Sequence, residues 1–281
     1  MGINERIKCA YLGPKGTFSE MASIRYFKEK ADFIPVSSIS EVFDKVREKL
    51  VDFGIVPIEN SVEGSVNMSM DLLSEVSDIL VVGECVVPVR HFLVSFEDID
   101  LQSIKKVYSH QQAIGQCSKF IKNKLNHPEI IFTASTAVAC ELIKEETNSA
   151  AIASENVIKI YNPNVLAEDI QDSDNNLTRF FVITSSKNLP PLNKDLKYKT
   201  SIICSPKHNR AGVLYSMLES FQKKNINLTR IESRPTKKQL GEYLFYIDFE
   251  GHINDEGVKE ALSELKEMSA FFKILGSYPI W

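Results

Sequence analysis

Thr178-Arg179 sets a hydroxyl and a permanent cation side by side, after the polar run at 171–176 and before the apolar Phe180-Phe181-Val182-Ile183. The apolar run reads as a buried strand, so polar chemistry sits at a strand's entrance. Thr178 can donate one hydrogen bond, and Arg179 offers a rigid fork of donors suited to a carboxylate. Taken alone, the pair also fits a strand-opening threonine beside a surface arginine. Similar polar groups recur at other junctions. Gly13-Pro14-Lys15-Gly16-Thr17 lies between a short strand at 7–12 and a helix from Phe18. A glycine-punctuated turn there aims free backbone N–H groups at an anion, or is simply a strand-to-helix turn. It has neither the distal Gly-Lys-Ser/Thr of a phosphate loop nor a GxGxxG spacing. Glu59-Asn60-Ser61 follows the apolar strand 53–58, where a strand's carboxyl end would present Asn60 and Ser61 to a crevice. Ser65 and Ser109 also fit helix N-caps, Gln116 the solvated side of a helix, and His91 a satisfied structural histidine.

The elements that must position these groups come in a regular order. Strands and helices alternate through about residue 185, which argues for parallel α/β organisation, and the polar groups fall in strand-to-helix loops that gather on one side of a sheet. Ser38 to Glu41 has capping-box spacing before a helix with Val42, Phe43, Val46 and Leu50 on one face; Met68, Leu72 and Val76 mark another helix. Two prolines among polar residues at 187–198 read as a linker. Beyond it come strand 200–204, helix 211–224, strands 227–233 and 243–249, helix 257–268 and strand 271–278: a ferredoxin-like βαββαβ unit.

Composition narrows the function classes. At 281 residues with 43% hydrophobic and 25% charged, the chain can bury a sizeable core and is expected to form two domains. A net charge of −4 without a basic cluster argues against nucleic acid, and an anionic substrate must be held by local positive groups. No apolar run approaches a membrane span and the start carries no signal-peptide core, so a cytoplasmic protein is expected. The five cysteines are scattered without metal-ligand spacing, which makes reduced structural thiols the expectation and leaves no metal site.

Five stretches in one order, Gly13-Pro14-Lys15-Gly16-Thr17-Phe18-Ser19, Pro57-Ile58-Glu59-Asn60-Ser61, Ser109-His110-Gln111-Gln112 with Gln116-Cys117, Thr178-Arg179-Phe180 and Glu232-Ser233-Arg234-Pro235, resemble the monofunctional prephenate dehydratases with a C-terminal ACT regulatory domain. Gln111 stands where that family usually has proline, and Val138 and Cys140 also depart from it. The resemblance implies an α/β fold: a two-lobed, periplasmic-binding-protein-like catalytic domain at 1–186, a linker at 187–198 and a ferredoxin-like ACT domain at 199–281. It implies conversion of prephenate to phenylpyruvate with loss of carbon dioxide and water, in phenylalanine biosynthesis, with no metal or organic cofactor. By carry-over Thr178 protonates the departing hydroxyl, with Glu59 and His110 as second-choice acids. Arg179, Phe180, Glu59, Asn60, Ser61, Ser109, Gln116, Gly16 and Thr17 hold the substrate. Asn209, Ala211, Gly212, Val213 and Leu214, with Glu232, Ser233, Arg234 and Pro235, bind phenylalanine as allosteric effector between ACT domains of a homodimer or homotetramer. No chorismate mutase helix precedes Ile7, so that fusion is not expected. Two rival readings are arogenate dehydratase, whose substrate carries an amine in place of the keto group, and a non-catalytic two-lobed ligand sensor with an ACT effector domain.

Overall fold

The computed structural model describes residues 6–185, 189, 192–237, 239 and 241–280. The expected linker at 187–198 therefore lies partly outside the described residues, as does the 186 boundary. Two compact units are present: Met1–Ser69 with Cys85–Phe180, and Met70–Glu84 with Phe181–Trp281.

Along the chain come β1 (Ile7–Leu12), α1 (Phe18–Phe27), β2 (Ala31–Val36), α2 (Ile39–Arg47), β3 (Phe53–Asn60), the two-residue β4 (Gly64–Ser65) and α3 (Asn67–Glu75). β5 (Leu80–Pro88) and β6 (Phe92–Ser95) follow, then β7 (Lys106–Ser109), α4 (Gln111–Gln116), α5 (Ser118–Lys124), β8 (Glu129–Phe132), α6 (Thr136–Leu142), β9 (Ser149–Ala153), α7 (Glu155–Tyr161), β10 (Asn164–Ala167) and β11 (Leu177–Thr184). One sheet has the order β2-β1-β3-β11-β5 with β4 on β3, and a second has the order β10-β6-β9-β7-β8. The parallel organisation expected from the alternation holds for β1 with β2 and β3, and for β7 with β8 and β9. β6 runs antiparallel to β9 and β10, so the second sheet is mixed. The chain crosses between sheets twice, at 89–91 and at 168–176, and the return delivers β11 to the middle of the first sheet.

Local chemistry sets the helix starts. Thr17, Ser38, Ser135 and Ser154 each cap a helix by accepting the N–H three residues on. α2 buries Val42, Phe43 and Val46, each contributing about 1.5–3 kcal/mol. Leu50, expected on the same face, lies beyond the helix end and is exposed. α3 also differs from expectation: Met70 and Leu73 are its buried apolar residues, while Met68 is exposed. β4 pairs Ser65 with Glu59 across the Asn60 turn, two residues before α3 begins. Ser109 is no cap; its hydroxyl donates to Ile152 O, and the His110 ring caps α4 by accepting from Gln112 N. Gly16 has φ +90 and sits so close to Val157 that a Cβ would stand 2.9 Å from its Cγ2, so the turn requires glycine.

The second unit contains β12 (Tyr198–Pro206), α8 (Val213–Lys223), β13 (Leu228–Pro235), β14 (Tyr243–Glu250), α9 (Glu256–Met268) and β15 (Ser269–Pro279). The sheet is antiparallel in the order β13-β14-β12-β15, the ferredoxin-like arrangement, with α8 and α9 burying Met217, Phe221, Leu262 and Leu265 against it. The latter part of α3 belongs to this unit. Tyr246 Oη donates to Met70 O at 2.7 Å, Lys273 Nζ donates to Leu73 O and Val76 O, and Asp71 pairs with Arg234 at 3.4 Å and Lys237 at 2.6 Å. Lys273 thus satisfies carbonyls that the end of a helix leaves open. All five cysteines are buried free thiols. Burial pushes Cys9 and Cys204 up to about 12 and Cys140 to about 11, and raises Cys117 as well.

Candidate functional site

A cavity of about 320 Å³ opens in the first unit where the β1–α1 junction, the end of β3, the first crossover, α4, the start of α6 and the start of β11 converge. Side chains alternate along a strand, so Thr178 and Phe180 share one face of β11 and both line the cavity. Arg179, on the other face, is not among the lining residues; it is nearly buried, and its Nη1 lies 3.2 Å from Glu59 Oε1. The carboxylate met by the arginine fork in this structure is thus Glu59.

Thr178 Oγ1 accepts a hydrogen bond from Asn60 Nδ2 at 2.9 Å. A hydroxyl has one proton, so with an oxygen lone pair engaged by Asn60 the Thr178 O–H remains available for donation. Asn60, at the end of β3, is held rigidly: its Oδ1 accepts from the backbone N–H of Val62 and Glu63, closing the turn into β4. Its Nδ2 also donates to Leu177 O and to Asn176 Oδ1. Ser61 faces elsewhere, its hydroxyl donating to Asn175 O and accepting from Leu177 N, which clamps the entrance of β11.

Gln116 is buried in the cavity wall, contrary to the solvated position its helix suggested. Its Oε1 meets His91 Nε2 at 3.0 Å and Asn176 Nδ2 at 2.8 Å, and its Nε2 donates to Glu63 Oε1 at 3.2 Å. His91 also departs from expectation. It lines the cavity, packs edge-on against Phe18, and its buried Nδ1 has no hydrogen-bond partner among the described residues. Burial holds its imidazole below the ordinary value, although the Gln116 contact works the other way, so the ring is neutral at neutral pH. His110 and Thr17 line the cavity, as does Gly13 of the first loop, whereas Ser109 and Gly16 do not. The Gly16 N–H expected to face an anion is committed to the buried Glu20 carboxylate at 2.6 Å, which also takes Tyr11 Oη and Asn156 Nδ2. Thr17 Oγ1 donates to Leu12 O while capping α1.

Among the described lining residues none is Lys, Arg, Asp or Glu. An anion here would meet hydroxyls, amides, imidazoles and the start of the ten-residue α1 rather than a full positive charge. No group of three or more His, Cys, Asp or Glu side chains among the described residues could hold a metal.

Sequence reasoning passed over Asn176. Asn176 closes the polar run that leads into β11, and its buried position comes from partners distant in sequence rather than from any strand period. In the second unit, Gly212 has φ +79 and precedes α8, whose first residues are Val213 and Leu214; Ala211 lies in the turn, and Asn209 Nδ2 donates to Gly241 O. Glu232, Ser233, Arg234 and Pro235 close β13, an edge strand of its sheet. Glu232 and Arg234 share its half-buried face with Arg230, while Ser233 and Pro235 are exposed on the other.

The chain matches the family model described as prephenate dehydratase over residues 9–188 and the ACT domain model over residues 208–267. It is 44% identical to a bifunctional chorismate mutase/prephenate dehydratase of Aquifex aeolicus, an alignment covering 99% of this chain and 75% of that one. It is 40% identical to a prephenate dehydratase of Methanocaldococcus jannaschii, over 96% of this chain and 97% of that one. Among solved structures, a prephenate dehydratase from Arthrobacter aurescens in complex with L-Phe superposes with a TM-score of 0.88 at 33% identity, covering 98% and 90% of the two chains.

Proposed function

The chain belongs to the prephenate dehydratase family, and from that premise we propose that it converts prephenate to phenylpyruvate, carbon dioxide and water, under feedback by L-phenylalanine acting through the C-terminal ACT domain. The single observation that carries the reading is the Thr178 hydroxyl in the cavity, its oxygen held by Asn60 and its proton available for the departing ring hydroxide. A threonine is a weak acid, and a positioned proton donor supplies ~10²–10⁴-fold in rate. The remaining drive lies in the substrate: the ring carboxylate departs as carbon dioxide, the electron pair of that C–C bond enters the ring and expels the hydroxyl, which the donated proton turns into water, and the ring becomes aromatic. The protein's part is to orient both leaving groups and to surround the charge with fixed dipoles.

In this reading Asn60, Gln116, Thr17 and Phe180, all of which line the cavity, contact the substrate, and the neutral lining is supplemented by His110 and the start of α1. Arg179 and Glu59 support the strand entrance from behind as an ion pair; Ser61, Ser109 and Gly16 hold the loops that carry the contacting groups. Phenylalanine binds at residues 209–214 and 232–235. β13 lies at the edge of its sheet, which favours side-by-side pairing of two ACT domains with the effector between them, in a cytoplasmic homodimer or homotetramer.

Thr178→Val tests the reading, because it deletes the donor and keeps the shape. Turnover, followed by the ultraviolet absorbance of phenylpyruvate, should be nearly abolished while prephenate binding stays within about tenfold. Wild-type turnover by the valine variant would remove Thr178 from the chemistry. Parallel assays with prephenate and arogenate identify the preferred substrate.

A further inference from the structure

The amide side chains around the cavity form one chain of hydrogen bonds whose direction is fixed from its root. Backbone N–H groups can only donate, so the bonds from Val62 and Glu63 make Asn60 Oδ1 an acceptor and its Nδ2 a donor. Asn176 Oδ1, 2.7 Å from that Nδ2, must then accept, which leaves Asn176 Nδ2 to donate to Gln116 Oε1 at 2.8 Å. Gln116 Oε1 is thereby an acceptor, and the His91 Nε2 at 3.0 Å carries the proton. The same logic leaves the Gln116 NH2 end to donate, one of its bonds going to Glu63.

We propose that Asn176 is a positioning residue that relays the fixed amide polarity of Asn60 to Gln116, and so decides which end of the Gln116 amide is turned to the substrate. The proposal rests on the dehydratase reading above. Asn176 does not line the cavity; it is 2% exposed and stands behind it, where it bridges Asn60 and Gln116 with one acceptor and one donor. Its chemistry is required to be two-faced. An aspartate of the same shape accepts on both sides, so Gln116 Oε1 would face a carboxylate; turning the Gln116 amide over would point its carbonyl at the Glu63 carboxylate and require the opposite His91 tautomer. An error at Asn176 therefore travels to Gln116 and His91, while Asn60 keeps the orientation its backbone donors impose.

Asn176→Asp should lose roughly tenfold to hundredfold in kcat at pH 8, the effect of a buried acceptor left without its donor. As pH falls through the carboxyl's own titration, which burial displaces upward, the protonated acid regains one donor and one acceptor and kcat should recover. Asn176→Ala should show a comparable loss with no recovery on acidification. Asn176→Ser, neutral and small enough to fold, retains a hydroxyl that both donates and accepts and should fall between wild type and alanine. Circular dichroism at each pH verifies that the compared proteins are folded. Retention of kcat within about twofold by Asn176→Asp and Asn176→Ser, or identical pH profiles for the folded aspartate and alanine variants, would overturn the proposal. Wild-type protein inactive on prephenate would instead overturn the dehydratase reading on which it depends.

Discussion

His91 shows what burial does to a single side chain. The folded ring resists protonation, whereas the unfolded ring titrates at its ordinary value of 6.5. Its folded pKa is therefore the lower one, and the unfolded chain takes up the proton first as pH falls. Stability contributed by the neutral ring is complete above pH 6.5 and declines below it, down to the folded pKa. His91→Gln should flatten that part of the acid response: the loss in urea midpoint between pH 7.5 and 5.5 should be smaller than in wild type, and an equal loss would assign the acid sensitivity to other groups. Thr178, which lines the cavity, was legible in the sequence through the company of the other polar stretches rather than from its own apolar run. The Glu59 partner of Arg179 was not legible, since neighbours in a strand face opposite ways and the two residues lie 120 positions apart. Asn176 and His91 owe their importance to partners that only the fold brings together.

Among the elements, α3 has the most to transmit. It begins directly after the Asn60 turn, and its later residues are fastened in the second unit by Tyr246, Lys273 and the Asp71 pairs with Arg234 and Lys237. Under the proposed placement of phenylalanine at residues 232–235, the effector's carboxylate would compete with Asp71 for the Arg234 guanidinium. Asp71→Asn should therefore tighten phenylalanine binding by calorimetry while reducing its maximal inhibition, within the ~5–150-fold range of such couplings. A variant with unchanged affinity and unchanged inhibition would exclude Asp71 from the regulation. Helix and strand identities were largely legible from apolar spacing. The buried face of α3 was not, because residues four apart at Met68, Leu72 and Val76 fit a helix as well as Met70 and Leu73 do, and tertiary contacts choose between them. The cap at Ser109 failed because a neighbouring strand claimed its hydroxyl and the His110 ring took the capping position.

At the scale of the whole molecule, the proline-rich stretch suggested a boundary that falls once along the chain. The compact units are instead interleaved, with residues 70–84 grouped with the C-terminal part, because β5 and the end of α3 contact partners distant in sequence. No local composition signals that. The buried cysteines turn this division into a timepiece. Only a thiolate reacts rapidly, and thiols raised to about 11 or 12 and shielded from water stay silent until their surroundings open. Cys9, Cys85, Cys117 and Cys140 lie in one unit and Cys204 in the other, so a thiol reagent read by peptide mass reports two openings separately. Prephenate should slow the first four and phenylalanine should slow Cys204, each by the factor its binding adds to the closed state. Fast labelling of the native protein at neutral pH would contradict this. Should it hold, the chain records the life of each unit in its own sulfur, with no probe attached.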